Sequence, residues 1–214
     1  MNARAFLLPL ISFTFFTFSP LSTKAQNLIT FDDISYSDGG TTIVLAVSIT
    51  NGYAGLDWGN FGAVNVPMEA SLYGTNGYYY GMVSAPSVAF NGAGTQAEID
   101  SPGTNFNFLS AYLTGAWNSN LNIEVQGFNG ANLLYDEIVV ASATNPTLFV
   151  FNYLDIDRLT FNSFGGQPAG FPLGGGEVFV MDNMSFEFVP EPSTVLLTAL
   201  GALALCALLK RKRA

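Results

Sequence analysis

Histidine does not occur in this 214-residue chain, and cysteine occurs once, at Cys206. These absences exclude Ser-His-Asp and Cys-His nucleophilic chemistry, and zinc sites built from imidazole or thiolate. A lone thiol also excludes an intrachain disulfide framework, so stability has to come from core packing. Basic residues are scarce: seven Lys and Arg stand against 16 acids. Six of the seven lie near the two ends, and Arg158 is the only one between residues 26 and 189. That body of 164 residues carries 15 acids and a net charge of −14. Such a field repels phosphate backbones and excludes nucleic-acid binding, and without a lysine the body has no amine for a Schiff base. A helical period is missing as well: no segment from 26 to 189 places apolar residues at three-four spacing.

What the body does contain is β patterning. Leu121-Asn122-Ile123-Glu124-Val125-Gln126 alternates strictly, with Leu121, Ile123 and Val125 on one face. Asn129-Gly130 then signals a hairpin ahead of Ala131 to Val140. Residues 41–50, 106–113, 148–153, 159–161 and 177–188 read as further strands, punctuated by Gly and Asn. The length suits one domain. The expected fold class is all-β: a single antiparallel β-sandwich of jelly-roll type over residues 26–188, with roughly 8–10 strands.

The two ends read as processing or anchoring segments. Residues 1–25 have a basic residue at Arg4, an apolar stretch from Phe6 to Phe18, a break at Pro20 and small residues at Thr23 and Ala25. This pattern predicts a signal peptide cut after Ala25. Residues 189–214 hold Val189-Pro190-Glu191-Pro192-Ser193-Thr194, then an uncharged run over 195–209, then the basic cluster 210–213. Fifteen helical residues span roughly 22 Å against a hydrocarbon core of about 30 Å, and snorkelling Lys and Arg narrow the gap. A short transmembrane helix is therefore expected, its basic end in the cytoplasm.

The order of motif, apolar helix and basic cluster resembles a PEP-CTERM sorting signal, in which Val189 to Thr194 is the motif. The resemblance implies a bacterial exosortase as partner, export through the inner membrane, and a final place at the cell surface or outside the cell. Phe31-Asp32-Asp33-Ile34, Val88-Ala89-Phe90-Asn91, Phe108 to Trp117, Met181 to Phe186 and the segment 55–61 are similar to one group of such proteins. The ectodomains of that group look like jelly-roll, carbohydrate-binding-module-like sandwiches, which implies a fold and no particular ligand.

Three sets of residues are candidate sites. Calcium takes several hard oxygen ligands. Asp32 and Asp33 follow the first strand, Asp182 and Asn183 lie in the last, and in a jelly roll those strands often pair. These four are the candidate ligands for a structural Ca2+, although a capped turn and a bulge with its side chains in water account for them equally. Sugars stack on aromatic faces, so Trp58, set among Gly55, Asp57, Gly59 and Asn60, is a candidate platform or else a core residue. Tyr78, Tyr79 and Tyr80, between Asn76-Gly77 and Gly81, form a candidate exposed loop. Trp117, at the end of an apolar strand, is expected in the core. Arg158, flanked by Asp155 and Asp157, is expected in an ordinary ion pair. No catalytic residue is expected. A carboxylate glycosidase needs two acids across a cleft, and Glu69, Glu98, Glu124, Glu137 and Glu177 show no such pairing in sequence.

The resulting expectation is a non-catalytic module at the cell surface or in the extracellular matrix, binding exopolysaccharide or serving structurally. A carboxylate-based glycan-active enzyme and a ligand-free coat protein are the alternatives.

Overall fold

The computed structural model of the chain describes residues 26–37, 44–190 and 200–204. The strands are β1 (Asn27–Ile29), β2 (Ala46–Ser48), β3 (Asp57–Gly59), β4 (Phe61–Asn65), β5 (Ser87–Asn91), β6 (Ala97–Asp100) and β7 (Phe106–Gly115). After them come β8 (Asn118–Ser119), β9 (Leu121–Asn129), β10 (Asn132–Ala141), β11 (Thr147–Ile156), β12 (Arg158–Phe164), β13 (Gln167–Pro168) and β14 (Phe179–Phe188). Two helices, α1 (Val66–Tyr73) and α2 (Gly77–Gly81), interrupt the series between β4 and β5.

The strand signals hold where alternation was strict. Leu121, Ile123 and Val125 are buried, while Asn122, Glu124 and Gln126 lie on the more open face of β9. The β9–β10 hairpin closes at Asn129 opposite Asn132, with Gly130 in the left-handed region at φ 57°. Asp157 fixes the turn by accepting from the Gly130 N–H at 2.7 Å. Of the expected strand over 41–50, only β2 is strand, and residues 38–43 lie outside the described part.

Every strand pairing is antiparallel. One sheet runs β11-β7-β14-β5-β4-β2 and the other β10-β9-β12-β6-β3, with β8 and β13 forming a small separate ribbon. β14 organises the first sheet. β7 pairs along one of its edges, while β5 and β1 pair with its first and second halves. The first and last strands are therefore neighbours, as the sequence reading anticipated.

The two sheets pack face to face through aromatic rings, making a β-sandwich. Phe61 of β4 meets Phe161 of β12 edge-on at 5.8 Å, and Phe108 of β7 meets the same ring at 6.1 Å. Phe31, Phe106, Phe179 and Phe186 are also fully buried. Each such ring contributes about 1.5–3 kcal/mol. A buried amide also bridges the layers. Asn91 of β5 accepts from the Phe179 N–H at 2.8 Å and donates to Ser163 Oγ of β12 at 2.9 Å. Buried amides satisfied on both sides in this way pin the register of the sheets.

The helices correct the expectation of a helix-free body. Asn65 caps α1 by accepting from the Met68 N–H, Pro67 sits in its first turn, and Gly74 follows its last residue. Only Val66 and Glu69 of α1 are buried, so no apolar stripe marks it. The predicted signal peptide, residues 1–25, Glu191 to Thr194 of the sorting motif, most of the expected transmembrane helix (195–199 and 205–209) and the basic cluster 210–213 lie outside the described residues. Val189 and Pro190 are described, as is a helical stretch over 200–204. Among the described residues no helix is long and apolar enough to cross a membrane.

Candidate functional site

The outer face of the first sheet is not left to solvent. Val64 of β4, Val88 of β5 and Val180 of β14 form a second apolar cluster there with Val66, Ala116 and Val178. The α2 turn seats on the backbone beside this cluster because glycine stands at both its ends. A Cβ on Gly77 would lie 2.0 Å from the Gly115 carbonyl oxygen, and one on Gly81 would lie 2.8 Å from Val180 Cγ1. The Gly77 N–H donates to the Ala116 carbonyl at 3.0 Å. Asn76 accepts from the Tyr78 N–H at 3.0 Å and starts the turn.

This seating decides where the three tyrosines go. They are helical rather than an extended loop. Tyr78 turns in, edge-on to both Phe90 and Trp117 at 5.6 Å. Tyr79 is 44% exposed, and Tyr80 stacks on Phe171 at 6.1 Å. Of the two readings of Trp58 the structure takes the core one, and Trp117, expected in the core, is only partly buried. Trp58 is 5% exposed, enclosed by Phe31, Tyr53 and Phe61, with its indole N–H donated to the Tyr53 carbonyl at 3.0 Å. It borders a groove of about 520 Å³, but neither ring face is free for a sugar, so the platform reading of Trp58 is corrected to core. Trp117 is only partly buried and opens onto a different cleft.

That cleft, about 290 Å³, lies against the outer face of the first sheet. Tyr73, Tyr78, Phe90 and Trp117 line it together with Leu45 and Val64. Gly174, with φ at +114°, lies on the indole so closely that a Cβ there would sit 2.3 Å from Trp117 Cη2. One acid, Glu69 of α1, is among the lining residues. It is 3% exposed, and its Oε1 accepts from Asn76 Nδ2 at 2.6 Å. Its Oε2 is buried with no hydrogen-bond partner among the described residues. Burial pushes the Glu69 carboxyl above the ordinary glutamate range, against the Asn76 hydrogen bond. Burial, with the Glu69 charge adding to it, raises Tyr78 as well. The sequence reading named Glu69 only as one of five acids. The Asn65-Val66-Pro67 start and Gly74 stop were a signal for the helix α1, but none marked Glu69 as its inward residue.

Each of the four residues proposed for calcium has a side-chain oxygen held by a protein donor. Asp182 is fully buried. Its Oδ2 accepts from the N–H groups of Val83 and Ser84 at 2.7 and 2.8 Å. Its Oδ1 accepts from the Asn183 N–H at 2.7 Å and Ser84 Oγ at 3.1 Å. Asp32 accepts from the Ser87 N–H at 3.0 Å and Asp33 from the Tyr53 hydroxyl at 2.7 Å. Asn183, at φ 48°, sits in the bulge of β14 against β7 and accepts from Ser84 Oγ at 3.1 Å. Asp32 and Asp182 thus brace the segment that links α2 to β5. Among the described residues, no three of His, Cys, Asp or Glu come together to hold a metal. Arg158 lies over the Phe128 ring, 4.4 Å from its centroid, with Asp100 opposite on β6.

Burial pushes Asp182 up from 3.8 to about 6, outweighing its four donors. A folded-state value above the unfolded one means that the folded protein holds the proton more tightly. This contribution is fully present below about pH 4 and is lost as pH rises through about 6, up to about 3 kcal/mol in all. Glu69 and Asp100 are raised too, Asp100 chiefly by burial and then by Glu98, and they act in the same direction. The melting temperature is therefore expected to be higher at pH 5 than at pH 8. A melting temperature that instead climbed steadily to pH 8 would contradict this assignment.

No family model matches the chain. No curated protein matches it either. Among solved structures, a DUF4465 family protein from Bacteroides caccae aligns with a TM-score of 0.46 at 10% identity, covering 76% of this chain and 99% of that one. TmCBM61 in complex with β-1,4-galactotriose aligns with a TM-score of 0.27 at 8% identity, covering 64% of this chain and 88% of the other. At such scores and identities neither ligand nor role transfers to this chain.

Proposed function

We propose that this protein is exported, sorted through its C-terminal tail by an exosortase, and displayed at the cell surface or in the extracellular matrix. There its jelly-roll-like sandwich binds polysaccharide without cleaving it. The observation that carries the binding role is the cleft: Tyr73, Tyr78, Phe90 and Trp117 lining one concave space with a single carboxyl, Glu69. Ligand sites are typically concave and mostly apolar, with few polar groups to orient the ligand. A pyranose ring offers an apolar face to aromatic rings and hydroxyls to a carboxyl. Glu69 lacks a second lining acid across the cleft, and hydrolysis by paired carboxylates needs one. The sorting role rests on Val189 to Thr194, the apolar run over 195–209 and the basic cluster over 210–213. β14 delivers the chain directly to that motif, and the Val189 N–H still donates to the Asn105 carbonyl at 2.8 Å.

The binding role is tested by retention of the full chain, in mild detergent, on a panel of immobilised glycans including the producer's own exopolysaccharide. Trp117→Ala is expected to weaken retention about tenfold, the loss of one well-packed ring contact, while Trp58→Ala lowers stability instead. Retention unchanged by Trp117→Ala, or no retention by the parent chain, would remove the cleft as the site. For the sorting role, a C-terminus found intact in a host with a working exosortase would leave a plain membrane anchor in its place.

A further inference from the structure

The binding role leaves the chemistry of the sugar open, and Glu69 narrows it. Its side chain is 3% exposed, Asn76 holds one oxygen, and the other has no partner among the described residues, in a cleft otherwise lined mostly by carbon. A buried carboxyl oxygen without a partner is costly unless a donor or a cation meets it. Four aromatic residues line the same space, and their ring faces attract cations. Among the described residues no cation lies there. Arg158, the only Lys or Arg between residues 26 and 189, lies over Phe128 in the other sheet. The net charge of −14 on that body has the same bearing at long range: it gathers cations and repels uronates and phosphates.

We infer that the cleft takes a positively charged nitrogen carried on an apolar-faced ring, an amino sugar with a free amine, with Glu69 as its counter-ion and Tyr73, Tyr78 and Trp117 around it. This rests on the glycan reading above and names its ligand class. A neutral sugar would meet the spare oxygen with a hydroxyl but would make no use of the aromatic faces as cation partners. N-acetylation removes the charge and adds an amide that the apolar lining does not pair.

The test uses the full chain in mild detergent and three short oligomers of equal length: glucosamine, N-acetylglucosamine and glucose. Calorimetry is expected to show the free-amine oligomer binding at least tenfold tighter than the other two. Glu69→Gln should abolish that preference. Asp136→Asn, which removes one exposed acid from β10, should leave it intact and so control for general attraction to an acidic protein. Equal or tighter binding of the acetylated or neutral oligomer by the parent chain overturns the inference while leaving the glycan reading standing. An amine preference that survives Glu69→Gln, or that falls as far in Asp136→Asn, overturns it as well. Failure of the parent chain to bind any of the three, together with no retention on the wider panel, removes both readings. The comparison among ligands on the parent chain decides the matter even if Glu69→Gln does not fold.

Discussion

Replacing Asp182 by alanine is expected to lower stability by about 3 kcal/mol and to loosen the segment between α2 and β5. The carboxylate is fully buried and takes four hydrogen bonds, three of them from the backbone N–H groups of Val83, Ser84 and Asn183. Alanine removes the desolvation cost that raises the Asp182 pKa, which works in the variant's favour. It also leaves three main-chain donors and the Ser84 hydroxyl beside an apolar methyl group. Each orphaned donor costs about 1–3 kcal/mol unless water reaches it, so the balance falls against the variant. Asp182→Asn keeps one acceptor but turns an amide N–H toward the same donors, and should fall between alanine and the parent. Urea unfolding checks this: the midpoint should drop with the slope unchanged. A loss under about 1 kcal/mol would mean that water replaces the carboxylate and that Asp182 is no brace. Because residues 82–86 connect α2 to β5, the loosened variant should also bind glycan more weakly, although no atom of Asp182 lines the cleft.

The parts of the fold that were legible in the sequence share a physical reason. β9 presents three apolar residues to the core and three polar ones outward, so its period of two appears without tertiary knowledge. Asn129-Gly130 needs only local turn geometry. The places of the two tryptophans had no such signal. β3 is three residues long, too short to show alternation, and the burial of Trp58 follows from its pairing with Ile99 and from rings contributed by Phe31 and Phe61. Trp117 lies just past the end of β7, where the strand pattern no longer governs the side chain. Asp182 read as a calcium ligand or as a solvated acid in a bulge, and its burial was not legible because the segment that closes over it is a tertiary feature. The cleft itself depends on how close α2 comes to β7. The sequence recorded that distance only as glycines at 77 and 81, which read equally well as loop residues.

Those glycines carry the second large effect. Gly77→Ala is expected to cost about 3 kcal/mol and to abolish glycan retention. The added Cβ would stand 2.0 Å from the Gly115 carbonyl oxygen and 2.5 Å from Ala116 Cα. Both are main-chain atoms at the end of β7, so no side-chain rotation relieves the clash and α2 itself must lift. Lifting breaks the Gly77 N–H bond to Ala116 and shifts Asn76, whose amide holds Glu69 Oε1. Tyr78 then leaves Phe90 and Trp117, and the aromatic side of the cleft separates from its carboxyl. Two other glycines grade the effect. At Gly74 a Cβ meets nothing within 4 Å, so Gly74→Ala meets only the backbone strain of φ +79° and ψ −174°, about 1–3 kcal/mol, and the cleft keeps its shape. At Gly174 the obstacle is the Trp117 ring, a side chain that can swing aside, but φ +114° adds backbone strain, so Gly174→Ala should weaken binding and lower the melting temperature together. Thermal melts and glycan retention on the three variants give the ordering. If Gly77→Ala melts with the parent and still retains glycan, α2 is not seated on β7, and the cleft between them is not where this protein meets its ligand.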